Sequence, residues 1–455
     1  MKNPAIEILR RATAGTEYDG RLFLVGGVVR DKVMGRLQVE DIDIVLEGDA
    51  LALARFLYKS GVAEHRPVTY PRFGTAMIVL DGRTVELVSA RRESYAPTSR
   101  KPDVEPAGLY EDVMRRDFTI NTLLENLNTG EIHDLTGSAI SDIQAGIIRT
   151  PTEPESTFFD DPLRMLRAIR FAVKFGFKID EGTYAAIIRD AQRLSIISRE
   201  RIRDEFAKIL LSDEATRGLQ MLKETGLLTR IAPECSEMQG VTQTGGHIYD
   251  VWDHTLHALD ALHPDADLTL RLAVLYHDTG KPKTRTVGIG GATHFYGHAD
   301  LSADVARKAL TRLRFAKSQT ARVVRLVSMH MRVGEYRGDW KDSAVRRLMR
   351  DAGDDISDLI ALAKADRLGA NPKASIDDLC ELERRLEHTL LKIQVSEFRS
   401  PLNGDEIMDL LHIPPGPIVK DAKHHLVDEI IEGRLMPGDK EAAASLIVEK
   451  FGGKS

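Results

Sequence analysis

Two aspartates one residue apart, Asp41 and Asp43 in VEDIDIVLEG, follow closely on a glycine pair, Gly26 and Gly27, in RLFLVGGVVRD. In a strand, alternate residues share a face, so both carboxylates point one way while Ile42 and Ile44 face the core. Their Cα atoms would lie roughly 7 Å apart, close enough for both to reach one magnesium ion. Such an ion aligns an attacking oxygen and neutralises charge during phosphoryl transfer. The glycines let the backbone turn tightly against a ligand. The helix behind them offers N–H groups to triphosphate oxygens, and Arg30 adds a fixed positive charge. A glycine pair or an Asp-x-Asp alone is common in turns and exposed strands. Strand, glycines, arginine and paired acids in one short segment together point to phosphoryl transfer.

Glu86 in TVELVSA is the candidate third carboxylate, on a strand able to pair beside DID; an ordinary exposed strand residue is the other reading. Further on, Arg115 and Arg116 open RRDFTIN, where Asp117 and Asn121 supply polar groups. The segment could grip phosphates and sugar hydroxyls, or simply be a solvated helix start.

A second, independent signal lies between residues 240 and 370. His254 sits in YDVWDHTLHALDAL, His277 and Asp278 end LTLRLAVLYHD, His298 follows in HFYGHADLSA, His330 in VSMHM and Asp366 in ALAKADRLGA. Imidazoles and carboxylates drawn from separate helices suit a mononuclear or dinuclear divalent-metal site, with Lys281 just past the His-Asp pair. The identity of that metal is open.

The elements that must position these groups fall into two classes. Residues 21–90 alternate short β-like runs with helical ones, predicting a small mixed sheet with helices that ends near EIHDLTG. SYAPTSRKPDVEP, from Ser94 to Pro106, is polar and proline-punctuated and reads as a mobile loop. Beyond about residue 150 strand signals vanish and helical periodicity runs to the C-terminus. The fold class is therefore an α/β head followed by an all-α body. The 455 residues hold 42% hydrophobic and 29% charged side chains, an ordinary globular composition with room for two to four domains. A formal net charge of −6 confines any nucleic-acid surface to local arginine clusters. No apolar run approaches a membrane span, MKNPAIEILRRA is too charged for a secretory signal, and Cys235 and Cys380 stand outside any CxxC. The expectation is a cytoplasmic enzyme with no membrane partner.

GGVVRD, DIDIV and RRDFTIN, in this order, resemble the head of class II tRNA nucleotidyltransferases, the CCA-adding enzymes and bacterial poly(A) polymerases of the polymerase-β-like superfamily. The histidine set resembles the HD superfamily of metal-dependent phosphohydrolases. The resemblance implies a polymerase-β-like head over residues 1–140, a helical neck over 141–235, an HD domain over 236–370 and a tRNA-contacting helical tail over 371–455. It implies extension of the tRNA 3′ end from CTP and ATP with Mg²⁺ and release of pyrophosphate. Full CCA addition, CC-only or A-only addition and poly(A) synthesis stay open within the class. So do an HD hydrolase with a nucleotide-sensing head and an RNA-binding protein without chemistry.

The segment FFDDPLRMLRAIRFAVKFGF bears on nucleotide choice. On a helix Arg164, Arg167 and Arg170 form one spiralling stripe with Asp161 a turn earlier, opposite Leu166, Ile169 and Val173. The acid and the arginines are thus expected to face outward together, whether as an ion-paired surface or as a binding face. A carboxylate accepts from the amine of cytosine or adenine, and a guanidinium donates to cytosine N3 or adenine N1. Uracil and guanine reverse both patterns and leave the protein's polar groups unpaired. Asp161 and Arg164 match the family's base-selecting motif, and Arg167 and Arg170 its further nucleotide-binding arginines. Glu200, Arg201 and Glu205 match its ERxxxE element and are expected to brace the neck. In the HD half, both hydrolysis of phosphate esters and a retained metal fold used for packing or RNA contact remain open.

Overall fold

The computed structural model describes residues 4–36, 42–94, 103–245, 248–336, 338–392 and 399–452, in two compact units, 1–233 and 234–455. Asp41 and the greater part of the polar segment 94–106 lie outside the described residues.

The first unit is built on a mixed sheet. Its strands are β1 (Leu22–Val25), β2 (Ile42–Leu46), β3 (Val68–Tyr70), β4 (Thr75–Leu80) and β5 (Arg83–Ser89), with β8 (Leu124–Asn126) and β9 (Ile132–His133) after the hairpin β6 (Arg91–Ser94) and β7 (Asp103–Pro106). The seven strands of the sheet run in the order β3-β4-β5-β2-β1-β8-β9, with β2 and β5 parallel and the other neighbours antiparallel. As the alternation predicts, Ile42 and Ile44 are buried on one face. The opposite face, which carries Asp43, is closed at one end by a second core of Phe23, Val25, Val45, Ala90, Val113 and Leu124. Val113 comes from the helix Leu109–Met114, so Asp43 lies beside packed side chains and is half-buried. The helix Ala50–Lys59, whose first N–H groups are capped by Asp49, packs against β4 and β5.

Two expectations are corrected. The segment beginning at Ser94 is not loop throughout: Asp103–Pro106 pairs with Arg91–Ser94 in an antiparallel register from Arg91 opposite Pro106 to Ser94 opposite Asp103. Strands also continue past residue 150, as a short parallel pair of Ile147–Ile148 with Lys178–Ile179 and a hairpin of Thr286–Val287 with Thr293–His294. Two-residue strands carry too little alternation to register against a helical background.

The rest is helical. The neck helix Leu163–Phe175 buries Met165, Leu166, Ile169 and Ala172 and stops at Gly176, whose φ of 72° is the left-handed cap that glycine adopts without strain. In the second unit the helix Leu268–Tyr276 is buried along almost its whole length and is surrounded by Val251–Asp260, His298–Arg312, Lys317–Gly334 and Ile356–Ala370. The tail holds helices Gly404–Leu411 and Pro417–Ile431 on either side of the proline-rich break, then Lys440–Phe451. No helix among the described residues is long and apolar enough to cross a membrane.

Candidate active site and metal centre

In the head, the parallel pairing of β2 and β5 sets Asp43 directly opposite Glu86. Paired residues share a face of the sheet, so the two carboxylates project from adjacent strands on the same side. Gly26, between β1 and the helix Gly27–Val33, has φ 74° and ψ −131°, a conformation closed to ordinary L-residues. A Cβ there would stand 3.8 Å from Asp43 Oδ2 and 3.9 Å from Arg116 Nη1. The turn therefore brings bare backbone against one carboxylate and one guanidinium at a single point. Carboxylate oxygens on neighbouring strands are the donor set a hard cation such as Mg²⁺ takes.

Arg115 and Arg116 are aimed by Asp112, a fully buried carboxylate that the sequence reading passed over. Arg115 Nη2 is 2.5 Å from Asp112 Oδ1, and Arg116 Nη2 2.9 Å from Oδ2. Burial would raise the Asp112 pKa, but the Arg116 and Arg115 guanidiniums outweigh it and hold the carboxyl below its ordinary range. Their spacing of three and four residues, at and just past the end of the helix Leu109–Met114, was the signal that could have revealed the pairing. Arg115 also reaches Glu93, at 3.1 Å.

Asp117 and Asn121 belong to a buried relay. Arg30 Nη1 donates to Asn121 Oδ1 at 2.6 Å, and Asn121 Nδ2 donates to Asp117 Oδ1 at 3.0 Å. Asp117 Oδ2 accepts from Arg167 Nε and Nη2 at 2.8 and 2.6 Å. The relay ties the glycine-turn helix to the neck helix. Arg30 also pairs with Asp31 at 2.8 Å and lies 4.6 Å from the Phe175 ring centroid, so its charge is spent inside the protein. Burial alone would push the Asp117 carboxyl up, yet Arg167 and Asn121 lower it to about 2.

The neck departs from the expected outward stripe. Asp161 is not on the helix of Arg164: it follows the helix Pro154–Asp160 with φ −143° and ψ 100°. Pro162 is the reason, since a proline drives the residue before it out of the helical region. Arg164 is buried and donates to the backbone carbonyls of Thr157 at 3.3 Å and Arg115 at 2.8 Å. Asp161 pairs instead with Arg201, at 2.6 Å, and Arg170 with Glu205, at 3.0 Å. The ERxxxE segment thus braces the neck, as expected, and does so by holding the candidate base-reading acid.

In the second unit, His254, His277, Asp278, His298, His330 and Asp366 converge from separate helices. Gly369 allows it: a Cβ there would meet Ala258 at 2.7 Å, so the helices of Asp366 and His254 lie almost backbone to backbone. His254 Nε2 is 3.1 Å from His277 Nε2, 3.1 Å from Asp366 Oδ1 and 3.3 Å from Asp278 Oδ2. On the other side, His298 Nε2 is 3.4 Å from Asp278 Oδ1 and 3.3 Å from His330 Nε2. Ligands bound at about 2.0–2.2 Å to one ion stand roughly 3.0–3.5 Å apart, which is the spacing seen. Asp278 offers one oxygen to each set, so the geometry is that of two metal positions sharing a carboxylate.

The ring nitrogens facing away from the centre fix the tautomers. Nδ1 of His277, His298 and His330 donates to the carbonyls of Val274, Phe295 and Val327 at 2.7, 2.8 and 2.6 Å, which aims each Nε2 inward. Against its burial, Asp278 and Asp366 raise His277 to about 10, so a metal binding there would displace a proton. Burial pushes His298 down and, with the neighbouring His277, His330 to about 4, so both are neutral imidazoles at pH 7. Lys281 Nζ lies 2.6 Å from Asp278 Oδ2. A cleft of about 640 Å³ opens onto Asp278, His298, His330 and Asp366, so a substrate has access. The residues fit a divalent metal centre.

Comparison with known proteins agrees with both halves. The Poly A polymerase head domain family matches residues 22–149, the "Probable RNA and SrmB- binding site of polymerase A" family residues 176–238, and the HD domain family residues 244–371. Together they define a nucleotidyltransferase with an HD domain on the same chain. The CC-adding tRNA nucleotidyltransferase of Thermus thermophilus is 34% identical over 447 residues, covering 95% of this chain and 94% of that one. The A-adding tRNA nucleotidyltransferase of Deinococcus radiodurans is 34% identical over 71% of this chain and 75% of its own. The chain belongs to the tRNA nucleotidyltransferase family. Its fold is that of the Bacillus stearothermophilus CCA-adding enzyme solved with CTP, at a TM-score of 0.72, with 24% identity, 99% of this chain and 98% of that chain covered.

Proposed function

We propose that the head transfers cytidylate and adenylate from CTP and ATP to the 3′ end of tRNA without a nucleic-acid template. The observation that carries this is the registered pair Asp43 and Glu86 beside Gly26 and Arg116. Asp43 and Glu86, with Asp41, would hold Mg²⁺, which when bound supplies charge neutralisation at the phosphates. The 3′-hydroxyl oxygen forms a bond to the α-phosphorus, its proton passes to a carboxylate or water, and the bond to pyrophosphate breaks. Arg115 and Arg116 would donate to the triphosphate oxygens. Gly26 and Gly27 give the ligand close access to backbone.

Asp161 and Arg164 are the proposed readers of the base, with Arg167 and Arg170 supporting the nucleotide. Asp161, kept in place by Arg201, would accept from the base amine, and rotation of Arg164 away from its carbonyl partners would set a donor beside it against the cytosine or adenine edge. Relatives are named for CC and for A addition, so acceptors of different 3′ ends are needed to tell full CCA, CC-only and A-only addition apart. Incubation with tRNA ending at the discriminator, at C or at CC, with CTP and ATP supplied separately, tests the reading. Incorporation on at least one acceptor supports it and defines the extent, and none on any acceptor removes it.

The convergent His254, His277, Asp278, His298, His330 and Asp366 favour a second activity, hydrolysis of phosphate esters at the HD centre. The residues would hold one or two divalent ions, which would activate water toward a phosphate ester, while His277 and Lys281 favour the ionised Asp278. The same ligand set argues against a chain that only binds RNA. Were the head merely a sensor for the HD site, Asp43→Asn would leave the main activity intact; the proposal requires loss of nucleotide incorporation. The cysteines Cys235 and Cys380, both free thiols, fit the cytoplasmic placement.

A further inference from the structure

The register that sets Asp43 opposite Glu86 continues across the sheet: Glu86 is opposite Met77, and Met77 opposite Val68. All four side chains therefore lie in one row on one face, running from the candidate catalytic carboxylates to the sheet edge. The outer part of that row is apolar and open, with Met77 36% and Val68 55% exposed. Tyr70, two residues along β3 from Val68 and so on the same face, is 45% exposed, and Phe73 just beyond is 38% exposed. Arg66 and Arg72 are exposed in the same stretch, and HRPVTYPRFGTAMIVL, His65 to Leu80, contains no acidic residue in a chain of formal charge −6.

We propose that this shelf is the platform on which the single-stranded 3′ end of the acceptor RNA lies, with bases stacked on Tyr70 and Phe73 and phosphates near Arg66 and Arg72. The inference rests on the head being the site of transfer to RNA. A reacting 3′-hydroxyl must sit at Asp43 and Glu86, so the nucleotides preceding it need a surface that begins there. From β2 to β3 is three strand spacings, about 14 Å, the length of roughly four stacked nucleotides at about 3.4 Å each. Exposed aromatics interleaved with arginines are how proteins hold single strands with little sequence preference, since every base has a face to stack. Strand-on-strand pairing with a second copy is disfavoured at this edge, because Pro67 and Pro71 bracket β3 and lack the N–H that such pairing needs.

The test compares wild type with Tyr70→Ala, Phe73→Ala and the double variant, each checked for an unchanged circular dichroism spectrum. In CTP incorporation, the ratio of KM for tRNA to KM for CTP should rise about tenfold in the double variant. A 4-thiouridine placed in the last unpaired nucleotides of the tRNA should crosslink within residues 66–77. An unchanged KM ratio with no crosslink in that segment overturns the proposal. A concentration-dependent dimer that the double variant dissolves would assign the shelf to a second copy and also overturn it. If wild type incorporates no nucleotide, the functional reading fails separately. Binding of a short single-stranded RNA, weakened about tenfold by the double variant or not, then still decides the platform.

Discussion

Asp43 and Glu86 face each other across the one parallel pairing of the head sheet, and Gly26 closes the space beside Asp43 with bare backbone. On the proposed reading the two acids share a divalent ion. Glu86→Gln should lower nucleotide incorporation by about 10–100-fold and raise the Mg²⁺ concentration needed for half-maximal rate. A Mg²⁺ titration of the variant checks this, and an unchanged titration curve would reduce Glu86 to an ordinary strand residue.

Arg201 holds Asp161 through a 2.6 Å ion pair. Arg201→Met should leave that acid misplaced and reduce kcat/KM for CTP and ATP by up to about 10²-fold. If Asp161 reads the base as proposed, accepting from an exocyclic amine and not from a carbonyl, the preference for CTP over UTP should shrink as well. Competition between the two nucleotides at fixed tRNA measures it.

Asp117 contributes a pH-dependent part of the head's stability. Its folded pKa, about 2, lies below the 3.8 of an ordinary aspartate, so the ionised, paired form favours folding above pH 4. That contribution falls away as the pH drops from about 4 toward 2, and amounts to about 2 kcal/mol when fully present. Asp117→Asn should lower the melting temperature at pH 7, and its deficit relative to wild type should narrow as the pH approaches 2.

Gly369 is the contact that brings Asp366 to His254. Gly369→Ala would place a methyl 2.7 Å from Ala258 and force the two helices apart, at a cost of about 1–3 kcal/mol. Metal affinity of the HD centre, measured by competition with a chromogenic chelator, should fall with it. Retention of wild-type affinity would mean that the site tolerates a wider spacing.

Much of this was legible in the sequence because the chemistry sits on regular elements. The alternation in DIDIVL predicts the buried Ile42 and Ile44, and β2 carries Asp43 as expected. The HD residues were readable as a set because each brings a ligand type that helices seldom repeat by chance. What escaped was partnership. Asp112 pairs with the arginines three and four residues on, a spacing open to reading, but its full burial is not written in that spacing. Asp161 was assigned to the arginine helix because the pattern runs on through Pro162, whereas the proline breaks the helix there. Pairings between distant segments, such as Arg201 with Asp161 or Arg164 with the carbonyl of Arg115, depend on tertiary packing that one sequence does not carry.

The most direct measurement is single-turnover addition of CMP or AMP to tRNA by wild type and by Asp43→Asn, with Mg²⁺ saturating. The account predicts addition by wild type and a fall of about 10³-fold or more in the variant, with tRNA still bound. Equal rates in the two proteins, or incorporation that survives removal of divalent ions, would contradict it.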